Sequence, residues 1–395
     1  MRRPGLLLAI GGSAVIAVVG IAAERVAAAP AWAIQPTPNP GAQGGSTLTL
    51  DDLSCSGRNA CAAVGQHVSR GVGKALVERW NGNSWSAETL PIPAGMRSAH
   101  LYGVSCAAAD ACTAVGTTHP NGYAGGTTFM YTARWDGRRW LTQQMPNHPG
   151  SVSDNTFDVS CAASASCVAV GYYSYDMAGD FAALAERWNG TRWDVLATPN
   201  PPGGGYLTSV ACTTVSACVA VGGWYDNTGT TLSFAEHWDG SSWTIASMPA
   251  PPGAQQTAVN NVSCASTSAC TAVGWTLDSA GTWRPFVERW DGTAWALQSP
   301  AAIAGSTLAY FEDVSCPDTT SCVATGFSRD GGGTDVTLVE RWDGTSWTVE
   351  SSPNPIAGGS SHLDAVDCLA TEVCVAAGDF HSLAGPRRTL VEVYG

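Results

Sequence analysis

Lysine is almost absent from this chain: Lys74 stands alone, and Lys and Arg together number 19 against 32 Asp and Glu. The formal net charge is −13 over 395 residues. The first 28 residues hold Arg2, Arg3, Arg25 and Glu24, so the remainder is more acidic still. A basic footprint for nucleic acid or an anionic membrane surface is therefore missing. No run keeps a helical period over a useful length. Gly-x-Ser-x-Gly and His-Glu-x-x-His are both absent, which removes nucleophile-elbow hydrolases and zincins from consideration. A long apolar run occurs once, from Leu6 to about Ala23. Arg2 and Arg3 precede it and the small residues Val26-Ala27-Ala28-Ala29 follow it. That layout predicts a secretory signal peptide over residues 1–28. Left uncleaved, it would be the chain's membrane contact, although it is short for a span.

What fills the rest is a repeat. A first cysteine recurs at Cys55, Cys106, Cys161, Cys212, Cys264, Cys316 and Cys368, in steps of 51, 55, 51, 52, 52 and 52 residues. Each is followed by a second, at Cys61, Cys112, Cys167, Cys218, Cys270, Cys322 and Cys374. A near-constant period in this range signals a propeller or solenoid. In an exported chain an even set of cysteines at fixed spacing reads as disulfides. Zinc would need four ligands, and no further Cys or His pair recurs at a fixed offset. Each loop is short, so chain entropy assigns each crosslink about 2 kcal/mol, without additivity.

Every unit contains four short strand-like runs. Phe157-Asp-Val-Ser-Cys161 ends the first, Cys167-Val-Ala-Val-Gly171 opens the second, Leu184-Ala-Glu-Arg-Trp188 is the third and Trp193 begins the fourth. They are rich in β-branched and aromatic residues and bounded by Gly, Pro or Asn. Trp80-Asn-Gly-Asn-Ser-Trp85 places Asn-Gly, a strong hairpin signal, between the last two strands. Asp-Gly replaces it at Asp136, Asp239, Asp291 and Asp343. The flanking tryptophans are placed to meet across the hairpin and pack between sheets.

The last unit stops at Thr389-Leu-Val-Glu-Val-Tyr394-Gly395 without a fourth strand. Trp32-Ala-Ile-Gln-Pro-Thr-Pro38-Asn-Pro40 matches the spacing of Trp347-Thr-Val-Glu-Ser-Ser-Pro353-Asn-Pro355. The N-terminal strand can therefore complete the C-terminal sheet, a complementarity an open solenoid would not need. The prediction is an all-β fold: one seven-bladed β-propeller over residues 29–395, with four antiparallel strands and one disulfide per blade.

The Trp-Asp-Gly-x-x-Trp hairpin resembles that of kelch and galactose-oxidase-like propellers, and Asp-Gly-x-x-Trp the tail of the Asp-box turn in sialidase-like ones. Kelch repeats carry a double glycine after the second strand, where most units here have one (Gly116, Gly171, Gly274). The Asp box has a spacer between Asp and Gly and a Ser before it, both missing here. The whole unit, with Cys-x5-Cys, Glu-Arg-Trp-Asn-Gly-x-x-Trp and Pro-Asn-Pro, resembles repeats of secreted actinobacterial proteins. That resemblance covers about residues 31–395 and implies the fold far more than an activity.

In a four-stranded meander, the turns joining strands one to two and three to four share one side. The other side holds the variable loops, where binding is expected. Tyr172, Tyr173, Trp224, Tyr225, Trp275, Phe327 and Phe380 cluster there after the second strand and are the candidate ligand-binding residues. Rings at a concave mouth suit sugar or peptide surfaces, or else cap the blade cores. His67, His100, His119, His148, His362 and His381 also fall on this side, without a diagnostic metal spacing. Asp51, Asp52, Asp158, Glu312, Asp313 and Asp364 precede first cysteines and are expected to line the axial channel, where carboxylates could hold a cation. The repeated Glu-Arg points to opposite faces of its strand, so it is no acid–base pair.

The functional expectation is a secreted, monomeric recognition module for an extracellular glycan or protein, without cofactor or metal. The alternatives are a sialidase-like glycosidase and a stiff envelope component. Galactose-oxidase chemistry needs a Cys–Tyr crosslink, and every cysteine is already assigned. A sialidase-like site needs clustered arginines, for which Arg70, Arg97, Arg329, Arg387 and Arg388 are candidates.

Overall fold

The computed structural model describes residues 29–41, 45–122, 127–176, 181–226 and 228–395. The expected signal segment, residues 1–28, lies outside them. Ala31–Gly395 form one compact unit. Its described residues form 28 strands in seven four-stranded antiparallel sheets. Blade one runs through Thr47–Gly57, Ala60–Ser69, Val72–Trp80 and Trp85–Thr89. The innermost strands of blades two to six are Ser98–Ala108, Ser153–Ala163, Tyr206–Thr214, Ala254–Ser266 and Ala309–Asp318. Blade seven joins Ser360–Ala370, Val373–His381 and Arg388–Tyr394 to Trp32–Gln35 from the other end of the chain. Trp32 pairs with Tyr394 and Gln35 with Val391. The innermost strands of blades one and seven are in contact, so the ring is closed.

All seven Cys-x5-Cys pairs are disulfides, each tying strand one to strand two of its own blade. The second cysteine of each pair faces the third-strand Trp (Tyr394 in blade seven), which faces the fourth-strand Trp. In blade three this row is Cys161, Cys167, Trp188, Trp193. The six Trp pairs have ring centroids 5.5–5.9 Å apart, and Trp32–Tyr394 is 5.4 Å. In the Asn/Asp-Gly turns only the glycine has positive φ, 87–96°. The Asx side chain serves the turn differently. Asn81 Oδ1, for example, accepts from the N–H groups of Asn83 and Ser84 at 2.9 and 3.0 Å.

The Glu-Arg dipeptide ties blades together, one residue per face. Arg79, Arg134, Arg289 and Arg341 lie 3.6–5.1 Å over the third-strand ring of the following blade. Three of them also donate to the following blade's disulfide turn, at Ser164 O, Thr319 O and Thr371 O. The glutamates turn the other way: Glu78, Glu186, Glu236, Glu288, Glu340 and Glu392 are all 0% exposed. Thr389 of blade seven bonds Glu78 of blade one at 3.0 Å, and Ser352, beyond blade six, bonds Glu392 of blade seven at 2.7 Å.

Two rows of side chains stitch the inner strands around the axis. The residue before the first cysteine accepts from the next blade's first-cysteine N–H: Ser54 from Cys106, Ser105 from Cys161, Ser160 from Cys212, Ser263 from Cys316, Ser315 from Cys368. Asp367 does the same at the closing seam, accepting from Cys55 N–H at 2.6 Å, and Ala211 leaves the row open before Cys264. Each inner strand is also bulged four residues before its first cysteine. The bulge presses a carbonyl onto the second strand, where a methyl group would overlap it. That is why Gly65, Gly116, Gly171, Gly222, Gly274, Gly326 and Gly378 recur there.

Candidate functional site at the channel mouth

The bulge also decides what faces the axis. Residues at the bulge and just after it line an axial cavity of about 370 Å³. All six expected acids meet there: Asp51, Asp52, Asp158, Glu312, Asp313 and Asp364, beside Tyr102 and Phe157. They divide into two sets. Asp52, Asp158 and Asp313, three residues before their cysteines, accept from the next blade's Val104, Val210 and Val366 N–H at 2.5–2.8 Å. These are further blade-to-blade stitches. Asp51, Glu312 and Asp364, one residue earlier, are the bulge residues themselves. Asp51 pairs with His100, and Glu312 accepts from Asn260 Nδ2 at 3.0 Å.

Burial first, and mutual repulsion second, pushes several of these carboxyls up. Asp52, Asp313 and Asp364 lie well above the usual range. Asp158 is raised to about 6 and Glu312 to about 7. Among the described residues, no group of three or more His, Cys, Asp or Glu is arranged to hold a metal ion.

Rings surround this floor in files. Phe157 meets Tyr172 at 5.6 Å, and Tyr172 meets Phe181 edge-on at 4.6 Å. Trp275, Trp283, Tyr310, Phe327 and His362 form a second file, with successive centroids 4.0–6.3 Å apart. Tyr173 stacks on His148 at 3.7 Å and is met edge-on by Tyr175. Tyr225, 45% exposed, lies 6.1 Å from Tyr206.

The seven aromatics expected to bind therefore have different settings. Tyr225 is exposed; Tyr172, Tyr173, Trp224 and Trp275 are half-buried. Trp224 and Phe380 pack against blade cores, and Phe327 is buried at 6%, sandwiched by Tyr310 and His362. Sequence reasoning overlooked Tyr102, Phe157, Tyr206 and Tyr310 on the inner strands. A signal existed: each stands four or six residues before a first cysteine, the offsets that also carry His100 and His362. Of the loop arginines, Arg329 is held by Asp335 at 2.8 Å and Arg387 by Asp379 at 2.8 Å. Arg97 and Arg388 are exposed, and Arg70 sits in a positive-φ turn.

Among solved structures, YCF48 bound to a D1 peptide is similar over 92% of this chain and 96% of that one, with TM-score 0.56 and 13% identity. Sqt1 from Chaetomium thermophilum covers 88% of this chain and 94% of its own at TM-score 0.48 and 10% identity. YjhT covers 77% and 98%, at TM-score 0.48 and 10% identity. The likeness to YCF48, at so low an identity, establishes the propeller fold alone. No family model matches the chain, and no curated protein does either.

Proposed function

We propose that this chain is an exported recognition propeller, of the secreted actinobacterial repeat kind, that binds an extracellular polypeptide or carbohydrate at its loop-rich face. Seven disulfides and no free cysteine suit an oxidising compartment. The observation that carries the reading is the mouth itself: a carboxylate floor in a narrow cavity, with aromatic files leading away from it. A cationic side chain entering the floor gains from the acids and from the Tyr102 and Phe157 faces. That combination favours a polypeptide with an exposed Lys or Arg over a neutral sugar. The fold neighbour YCF48 was solved with a peptide, which is in keeping with a protein ligand.

The test is a binding screen of the purified chain against glycan arrays and exported proteins, repeated with Tyr225→Ala and Tyr173→Ala. A saturable ligand lost in both variants supports the reading. Binding that survives both, or no binding in either screen, removes it.

A further inference from the structure

On the outer wall, blade two departs from its siblings. In the other blades the outward N–H or C=O of strand three, five residues before its final aromatic, is bonded, or the N–H is absent. The Thr/Ser-x-Asn linker does this in three of them. Thr37 donates to Thr389 O at 3.1 Å while Asn39 accepts from Thr389 N–H at 2.9 Å. Thr198 and Asn200 clamp Ala183 the same way, both at 2.7 Å. Asn354 accepts from Thr337 N–H at 3.1 Å. Elsewhere Leu90 N–H reaches Ala75 O, Ser233 N–H reaches Thr257, and Pro285 has no N–H to satisfy. Blade two has Met130 at this place, in the same register: Thr117 faces Met130 as Tyr172 faces Ala183. Its linker reads Met145-Pro-Asn147, with Met where the clamp needs a hydroxyl. Among the described residues nothing is bonded to that edge.

A groove of about 910 Å³ opens there, near the upper end of the roughly 300–1,000 Å³ range of ligand clefts. Three methionines, Met96, Met130 and Met145, give it an adaptable apolar wall. A second observation is independent of the edge. At three seams the first residue of the outer strand, a Trp, bonds the Gln or Glu ending the preceding outer strand: Trp85 to Gln35, Trp347 to Gln298, Trp32 to Glu350, at 2.8–2.9 Å. Gln143 and Trp193 occupy the same two positions in the groove, yet Gln143 Oε1 and Trp193 Nε1 are buried and unbonded. Trp193 is only 4% exposed. A buried donor and a buried acceptor left open in one groove cost stability until something bonds them.

We propose that this groove is a second binding site, separate from the mouth, that takes an extended polypeptide segment by strand addition. The segment's backbone pairs with Met130 N–H and C=O, and an apolar side chain rests on the methionines. The lining holds no carboxylate, and its one guanidinium, Arg192, is already paired with Asp194 at 2.7 Å. The groove therefore suits a neutral, apolar segment, without the preference for cations of the acidic mouth.

The test pans a displayed library of random peptides on the full chain and measures each selected peptide against two variants. Met130→Pro removes the outward donor at a position where blade five already carries Pro285. Met145→Thr rebuilds the clamp seen at Thr198-Pro199-Asn200. Selected peptides should be apolar and uncharged, bind either variant about tenfold more weakly, and bind Tyr225→Ala unchanged. Unchanged affinity for both variants, loss in Tyr225→Ala, or a library yielding no such peptide overturns the site. Amide exchange of the free chain gives a ligand-independent check. The Met130 amide should exchange faster than those of Ala183 and Thr337, and equal protection means the edge is not open.

Discussion

Glu236 is fully buried between blades, with neither carboxyl oxygen bonded, and burial alone lifts it to about 8. Glu288 is in the same position, also at about 8. The fold therefore holds these groups neutral, whereas an unfolded chain ionises them near the ordinary value of 4.5. Between those two values the native state binds more protons than the unfolded state, so stability falls as pH rises. The contribution is complete below about pH 4.5 and is lost by the time pH passes 8. Glu236→Gln keeps the shape and removes the titration. It should match the parent in thermal unfolding near pH 5 and exceed it by a few degrees near pH 8.5, an effect on the order of 1 kcal/mol or more. Calorimetry at the two pH values checks this, and an equal shift at both would mean that the carboxyl is already ionised or solvated. Repetition of the residue explains why it is tolerated: in a neutral form each glutamate fills a seam without charge.

At the scale of strands, the decisive element is Trp32–Gln35. It supplies blade seven with its outer strand, places Trp32 on Tyr394 and sends Trp32 Nε1 to Glu350 of blade six at 2.8 Å. The linker after it clamps Thr389 through Thr37 and Asn39. A chain beginning after Pro40 should keep blades two to five but lose cooperativity, with amide exchange rising first along Arg388–Tyr394. Exchange measured by mass spectrometry decides this, and unchanged protection in that strand would show that the N-terminal segment is dispensable. This closure was legible in the sequence because Trp32 and Pro38-Asn-Pro40 repeat the spacing of Trp347 and Pro353-Asn-Pro355. The four strands, the disulfides and the Trp hairpins were legible for the same reason: seven copies average out local ambiguity. The candidate site was only half legible. Its acids were found because they sit beside the cysteines. The bulge was not, since it is a property of backbone pairing that leaves only a glycine on the opposite strand as its trace. Without the bulge there was no reason to separate Asp51, Glu312 and Asp364 from the acids that hold the blades together, or to expect Tyr102 and Phe157 beside them. Ring exposure was equally hidden. Phe327 and Tyr172 occupy the same repeat position, and their neighbours alone bury one and leave the other half-open.

For the whole molecule, closure of the ring concentrates charge. Seven inner strands converge on one axis, so carboxylates distant in sequence, from Asp51 to Asp364, share one small cavity. Burial and mutual repulsion raise Asp52, Glu312, Asp313 and Asp364, burial raises Asp158, and the cavity is least charged in mild acid. A bound cation favours the ionised carboxylates and so draws their protons off. By linkage, the mouth must bind cations more tightly as pH climbs through the raised values of about 6 and 7 at Asp158 and Glu312. Titrating a lysine- or arginine-rich peptide by calorimetry at pH 5.5 and pH 8 should give a several-fold gain in affinity at the higher pH, with proton release that varies with buffer. Glu312→Gln should reduce both the gain and the release without unfolding the ring, because Glu312 makes no bond to a neighbouring blade's backbone N–H, unlike Asp313. Affinity that is flat with pH would place the cation outside the cavity. Different responses at the two sites would then separate them: acid weakens a cationic ligand at the axis and leaves an extended neutral segment on the wall of blade two undisturbed.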